Sequence, residues 1–213
     1  MRSEPRLPEE LTEVDGFDLE EEADVSDLSV AHADLSGAEA RNVDITRCRL
    51  SNVVLTGADL DRLQLTDCVL ERCELSGAIL TEASFTRVVI RDSRLAGVDL
   101  SSARLRDVVF EDCKLDAANL RMVSAERLRI ARSSLVDTDL YQAKLPEAEL
   151  VECDLTTAQF TKADMRGARL AGSTLTDLRG AEHLKGAVID EAQVVPLALL
   201  TFAAFGIVVE SDR

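Results

Sequence analysis

From Val25 to Leu175 an apolar residue returns at every fifth position in a single register. It stands at Val25, Val30, Leu35, Ile45, Leu50, Leu55, Leu60 and Leu65, and onward through Met165, Leu170 and Leu175, with Ala40 and Ala125 as the small members of the series. Two residues ahead of each centre lies a second inward position (Ala33, Ala38, Val43, Cys48, Val53, Ala58), and the residues between are polar or charged. A helix repeats every 3.6 residues and a strand every two, so a strict five drifts around either surface. A chain that turns a corner every five residues keeps each centre pointing inward, and four corners close a square coil of twenty. The pattern predicts an all-β solenoid of about eight coils, stacked at the strand separation of about 4.8 Å into a rod about 40 Å long.

Reading every twentieth residue tests the square. Leu35, Leu55, Leu75, Leu95, Leu115, Leu135, Leu155 and Leu175 form one column, and Ala33, Val53, Cys73, Ser93, Cys113, Ser133, Cys153 and Ser173 form a second, small throughout. Gly37, Gly57, Gly77 and Gly97 align at a corner, where a tight turn suits a residue without Cβ. Asp27, Arg47, Asp67, Arg87, Asp107, Arg127 and Glu147 alternate in sign along an outward column, a ladder of opposite charges. Phe85, Phe110 and Phe160 are expected to stack at inward corners. Val69, Val89 and Val109 interrupt the polar exterior as a three-coil apolar ladder. That stripe either docks the N-terminal segment or a partner, or favours β pairing between coils.

The register divides the chain into residues 1–22, 23–189 and 190–213. The first 24 residues hold ten acids against Arg2 and Arg6, half of the net charge of −16. Repulsion and few apolar groups favour a mobile acidic tail, while Leu11, Val14 and Phe17 allow a short helix or a flap over the first coil's open edge. After Leu175 the register fails, with Gly180 at the next centre and His183 in a turn. Asp190 then opens a helix that Gly206 stops, with Pro196 starting a second helix or kinking a single one, and Ile207–Val209 is expected to return as a strand. Leu197, Leu200, Phe202, Phe205 and Ile207 supply more apolar surface than sealing a narrow end requires, which leaves two readings: a cap alone, or a cap that also joins two copies into a homodimer rod about 80 Å long.

No catalytic constellation is legible. The chain has no glycine-rich phosphate loop, HExxH motif or serine elbow, so an enzyme is not expected and no cofactor is called for. Its five Cys lack paired CxxC spacing and take inward positions, which reads as buried thiols filling small slots. No signal peptide or membrane span is legible, so a cytoplasmic protein without membrane attachment is expected. Glu39, Asp59, Asp99 and Asp139 align on one outward column, interrupted by Ile79 and Asn119, and Asp24, Asp34 and Asp44 add charge near the first coils. An acidic rod repels nucleic acid and attracts a basic groove that normally receives it, which points to a DNA-binding protein as partner; the bland reading is a solvated face that keeps a repeat protein soluble.

The segments ADLSG from Ala33, GADLD from Gly57, VDLSS from Val98, AANLR from Ala117, TDLYQ from Thr138 and ADMRG from Ala163 resemble the pentapeptide repeat family over roughly residues 23–189. The resemblance implies a right-handed quadrilateral β-helix. In size, acidity and C-terminal apolar segment the chain is similar to the members that protect DNA gyrase from quinolones by mimicking DNA. That likeness implies a non-enzymatic protein-binding scaffold or, alternatively, a mimic that binds DNA gyrase or a related topoisomerase and modulates quinolone susceptibility. Glu39, Asp59, Asp99 and Asp139 would be the charge mimics, and Leu200, Phe202 and Phe205 the dimer contacts. The chain departs from those members in lacking a long loop between repeats and in carrying the acidic tail, and its opposite-charge ladders dilute phosphate mimicry.

Overall fold

The computed structural model describes residues 3–15 and 18–208, and they form a right-handed β-solenoid with a short C-terminal helical cap. Its strands are β1 (Thr12–Val14), β2 (Asp24–Ser26), β3 (Leu28–Ala31), β4 (Asp44–Thr46), β5 (Arg49–Ser51), β6 (Gln64–Glu71), β7 (Ser84–Arg91), β8 (Arg104–Glu111), β9 (Ser124–Glu126), β10 (Arg129–Ala131) and β11 (Glu149–Val151). From β2 onward each pairs in parallel with the strand one coil away: Asp44 faces Gln64, Val69 faces Val89 and Val89 faces Val109. The other two sides are stitched by single bridges such as Asp99 to Asn119 and Arg94 to Lys114. The expected columns are thereby vertical stacks, and the leucines from Leu35 to Leu175 are all buried. Phe85, Phe110 and Phe160 are fully buried with them.

The five-residue period survives because the backbone spends one residue in five in the left-handed region. Every residue numbered in 2 or 7 from Glu22 to Gly172 has a positive φ, including Asp107 at 56° and Met122 at 58°. Each such residue costs about 1 kcal/mol unless it is glycine or gains a local bond, and the continuous hydrogen bonding between coils holds it there. The centre donates one coil onward (Leu95 N–H to Lys114 O, 2.7 Å), and the residue before a centre donates back (Lys114 N–H to Ser93 O, 3.0 Å). An Asp at that position also accepts from the N–H two residues later, as Asp99 does from Ser101 at 2.8 Å and Asp139 from Tyr141 at 2.9 Å. The repeat's acidic residue is thus a turn-closing acceptor as well as a charge.

Two columns show a longer rhythm. In the small column Ser93, Ser133 and Ser173 each accept, at 3.0 Å, the N–H of the Cys one coil before, namely Cys73, Cys113 and Cys153. The five cysteines are free and buried, and burial pushes the Cys68 thiol up to about 12 and those of Cys113 and Cys153 up to about 11. In the charged column Arg47 grips Asp27, Arg87 grips Asp67 and Arg127 grips Asp107, each by two hydrogen bonds between 2.6 and 2.8 Å.

The ends depart from the period. β1 adds to the first coil by parallel pairing with β3, Val14 facing Val30, so this stretch is a strand and not a short helix; Phe17 lies outside the described residues. At the other end Val188, nineteen residues beyond Arg169, takes its bridge, a one-residue contraction after the turn at Ala181–His183. Asp190 then forms a capping box with Gln193 ahead of helix α1 (Val194–Ala204), and Pro196 sits in the first turn, where its missing N–H is harmless. Ile207 and Val208 are not a strand, contrary to expectation, and Val209 lies outside the described residues. Ile207 N–H instead bonds Phe202 O at 2.8 Å and Gly206 N–H bonds Ala203 O at 3.0 Å, with Gly206 at φ 68°. This pairing closes the helix C-terminus.

Candidate functional site

Three surfaces are candidates. The first is the acidic column: Glu39, Asp59, Ile79, Asp99, Asn119 and Asp139 bridge one another in succession. Its later acids, Asp99 and Asp139, are already engaged. The second oxygen of Asp99 accepts from Asn119 Nδ2 at 3.1 Å, and that of Asp139 accepts from Arg121 Nη1 at 2.9 Å. Arg41 stands 3.8 Å from Asp59, whose other oxygen is buried without a hydrogen-bond partner. Negative charge is less opposed in the first coils, where Asp24 faces Asp44 and Glu39 faces Asp59. Like charges directly opposite in a ladder repel, so this end carries the stronger field.

The second surface runs beside the valine stripe. Val69, Val89 and Val109 are in register neighbours, and Val69, though outward, is only 9 % exposed. Two residues before each valine stands a ladder residue, and two of these hold the N-terminal segment: Ser3 N–H donates to Asp107 Oδ1 at 3.0 Å and Arg6 N–H to Asp67 Oδ1 at 2.9 Å. The Arg87 hydrogen bond, with a smaller contribution from the Arg6 N–H, keeps the Asp67 carboxyl below its usual range. Farther on, Leu7, Pro8 and Leu11 line a shallow groove with Ser29 and Arg49. The valine stripe is one expected docking face for the N-terminal segment, but the bonds of residues 3–8 to Asp67 and Asp107 have no signal in the sequence. These residues have no periodicity, and they bind through main-chain N–H groups that every non-proline residue carries.

The third surface is α1. Of the residues expected to join two copies, Leu197 and Leu200 instead pack against the chain's own core, because they lie on the inner side of the helix, while Phe202, Phe205 (66 %) and Ile207 are exposed together with Val194, Val195 and Leu199. No helix among the described residues is long and apolar enough to cross a membrane. A fourth feature was not anticipated. The single tyrosine, Tyr141, has the Arg121 guanidinium 4.5 Å and the Lys162 ammonium 5.2 Å from its ring centre, and Lys162 Nζ bonds its hydroxyl at 2.8 Å. This cationic rim adjoins Asp139 and further offsets the acidic column; the spacing of Arg121 and Tyr141 by one coil was its only sequence signal. Among the described residues no group of three His, Cys, Asp or Glu is placed to hold a metal ion.

The model of the "Pentapeptide repeat region" matches residues 43–120, 63–140 and 103–179, and that of "Pentapeptide repeats (8 copies)" matches residues 21–62. No curated protein matches the chain significantly. Among solved structures, a trypsin-treated form of QnrB1, a plasmid-mediated fluoroquinolone resistance protein, is 20 % identical with a TM-score of 0.41, over 95 % of this chain and 99 % of that one. Full-length QnrB1 is 20 % identical with a TM-score of 0.38, over 91 % of this chain and 95 % of that one. HetL from Nostoc sp. strain PCC 7120, a protein involved in heterocyst differentiation regulation, is 23 % identical with a TM-score of 0.27, over 80 % of this chain and 91 % of that one.

Proposed function

The chain belongs to the pentapeptide repeat family, and from that premise we propose that it is a non-enzymatic protein-binding scaffold whose α1 joins two copies. The exposed apolar side of α1 carries this reading. A helix whose outward face consists of Val194, Val195, Leu199, Phe202 and Phe205 hides that surface most readily against another apolar face. A two-fold axis lets the same residues meet one another across the interface. The partner class that suits the remaining surface is a protein with a basic groove, met at the first coils where acid faces acid. Sedimentation velocity of the full chain tests the assembly: a species of two chains is expected, and a monomer at all concentrations would remove α1 from the reading.

A second reading, a DNA mimic acting on DNA gyrase or a related topoisomerase, is favoured by the net charge of −16 and by the stacked acids Asp24, Asp44, Glu39 and Asp59. The pairing of Asp139 with Arg121 and the hydrogen bond that Asp99 accepts from Asn119 weigh against it. Purified gyrase assayed for supercoiling and cleavage complexes with a fluoroquinolone separates the two. Altered cleavage complexes support mimicry, whereas absence of both binding and effect leaves a scaffold for another protein.

A further inference from the structure

Residues 3–8 cross the coils at right angles to the strands, and their spacing matches that of the rod. Ser3 and Arg6 are three residues apart, and the carboxylates they reach, Asp107 and Asp67, are two coils apart. Two coils rise about 9.6 Å at the strand separation, while three residues of a polyproline II helix, one full turn, rise about 9.3 Å. Every third N–H of such a segment therefore meets every second coil. The segment suits that conformation, with Pro5 and Pro8 one turn apart and so in phase with each other. Pro5, Leu7 and Pro8 are half-buried, while Ser3, Glu4 and Arg6 are exposed.

The receiving side is held by the solenoid's own residues. Asp67 and Asp107 are each fixed by two hydrogen bonds from Arg87 or Arg127, which orients Oδ1 and leaves it able to accept one more donor. Their side chains are 10 % and 5 % exposed, and Val69 lies two residues from Asp67 as an apolar floor. We propose that this corner of the solenoid is a binding rail for extended proline-spaced peptide. Residues 3–8 are its resident occupant, and a partner protein engages it by presenting a segment of the same kind that displaces them. The inference deepens the protein-binding reading by naming the chemistry of the partner segment: free N–H groups at positions one and four, proline at three and six.

Residues 3–14, acetylated at Ser3 so that its nitrogen is an amide and carrying fluorescein on an added C-terminal lysine, serve as the probe, with binding to the full chain read by fluorescence anisotropy. The parent is expected to bind weakly, because its own segment competes at a local concentration of order millimolar. A full-chain Ser3→Pro/Arg6→Pro variant lacks both donors and is expected to bind the peptide about tenfold more tightly than the parent. The same peptide N-methylated at the positions of Ser3 and Arg6 is expected not to bind. Adding Asp67→Asn is expected to weaken binding of the unmodified peptide, with circular dichroism and thermal melting confirming that each variant is folded. No binding by the folded double variant, or equal binding of the methylated peptide, would overturn the rail. Sedimentation of the same samples scores the α1 assembly separately, so the failure of one idea is distinguishable from failure of the other.

Discussion

Arg127 closes on Asp107 across one coil, Nε to Oδ1 at 2.6 Å and Nη2 to Oδ2 at 2.8 Å. These hydrogen bonds, opposed by burial and aided by the Ser3 N–H, hold the Asp107 carboxyl down to about 2. Its pKa in the folded chain is therefore below the unfolded value of about 3.9. The stabilisation is complete above about pH 4 and is lost as pH falls toward 2, with Asp27 and Asp67 moving in the same direction. Urea titrations at a series of pH values should show the midpoint falling through that window. Asp107→Asn should cost about 1–2 kcal/mol at pH 7 and flatten the acid limb; an unchanged pH profile in the variant would count against this assignment.

Glycine is not equally needed at every corner. A Cβ on Gly97, at φ 66°, meets nothing within 4 Å, and Ala117 already occupies the same corner one coil on. A Cβ on Gly180, at φ 77°, would stand 2.5 Å from Thr161 N and 2.9 Å from the Phe160 carbonyl carbon. Gly97→Ala should therefore cost about 1 kcal/mol, and Gly180→Ala about 3 kcal/mol or more, because neighbouring backbone must move. Denaturant midpoints for the two variants give the comparison, and similar losses would contradict it.

The thiols should be silent in the folded chain. All five are buried, and those of Cys68, Cys113 and Cys153 are pushed well above neutrality by burial. Alkylation requires the thiolate. Mass spectrometry after iodoacetamide at pH 8 should find no modified cysteine in the native protein and five after denaturation in guanidinium. Rapid labelling of any one before unfolding would show that its slot opens.

Phe205 lies at the helix C-terminus and is largely exposed. Phe205→Asp should leave the melting of the solenoid within about 0.5 kcal/mol of the parent while shifting sedimentation from two chains to one. A variant that stays dimeric would place the interface elsewhere.

Much of this molecule is readable from one period. Leu55, Leu75 and Leu95 stack because five-residue steps return each to the same wall, and the turn at Gly37, Gly57, Gly77 and Gly97 follows from the same arithmetic. The sign-alternating ladder and the Cys/Ser column were equally visible, since twenty-residue spacing makes vertical neighbours of residues remote in sequence. What escaped were interactions that have no period. The course of residues 3–8 depends on main-chain donors, and the end of α1 depends on whether Ile207 continues the solenoid or closes a helix. The engagement of Asp99 and Asp139 by Asn119 and Arg121 also lay beyond composition, because reach between coils depends on rotamer as well as position.

The alternation of Asp with Arg and of Cys with Ser has a consequence for how this rod can change length. Excising a single coil from the middle would set aspartate over aspartate or arginine over arginine and stack two serines or two cysteines, leaving donors and acceptors mismatched at the seam. Excising a pair restores both patterns. Genetic duplication or loss is therefore best tolerated in units of two coils, the same interval that separates the carboxylates holding the N-terminal segment.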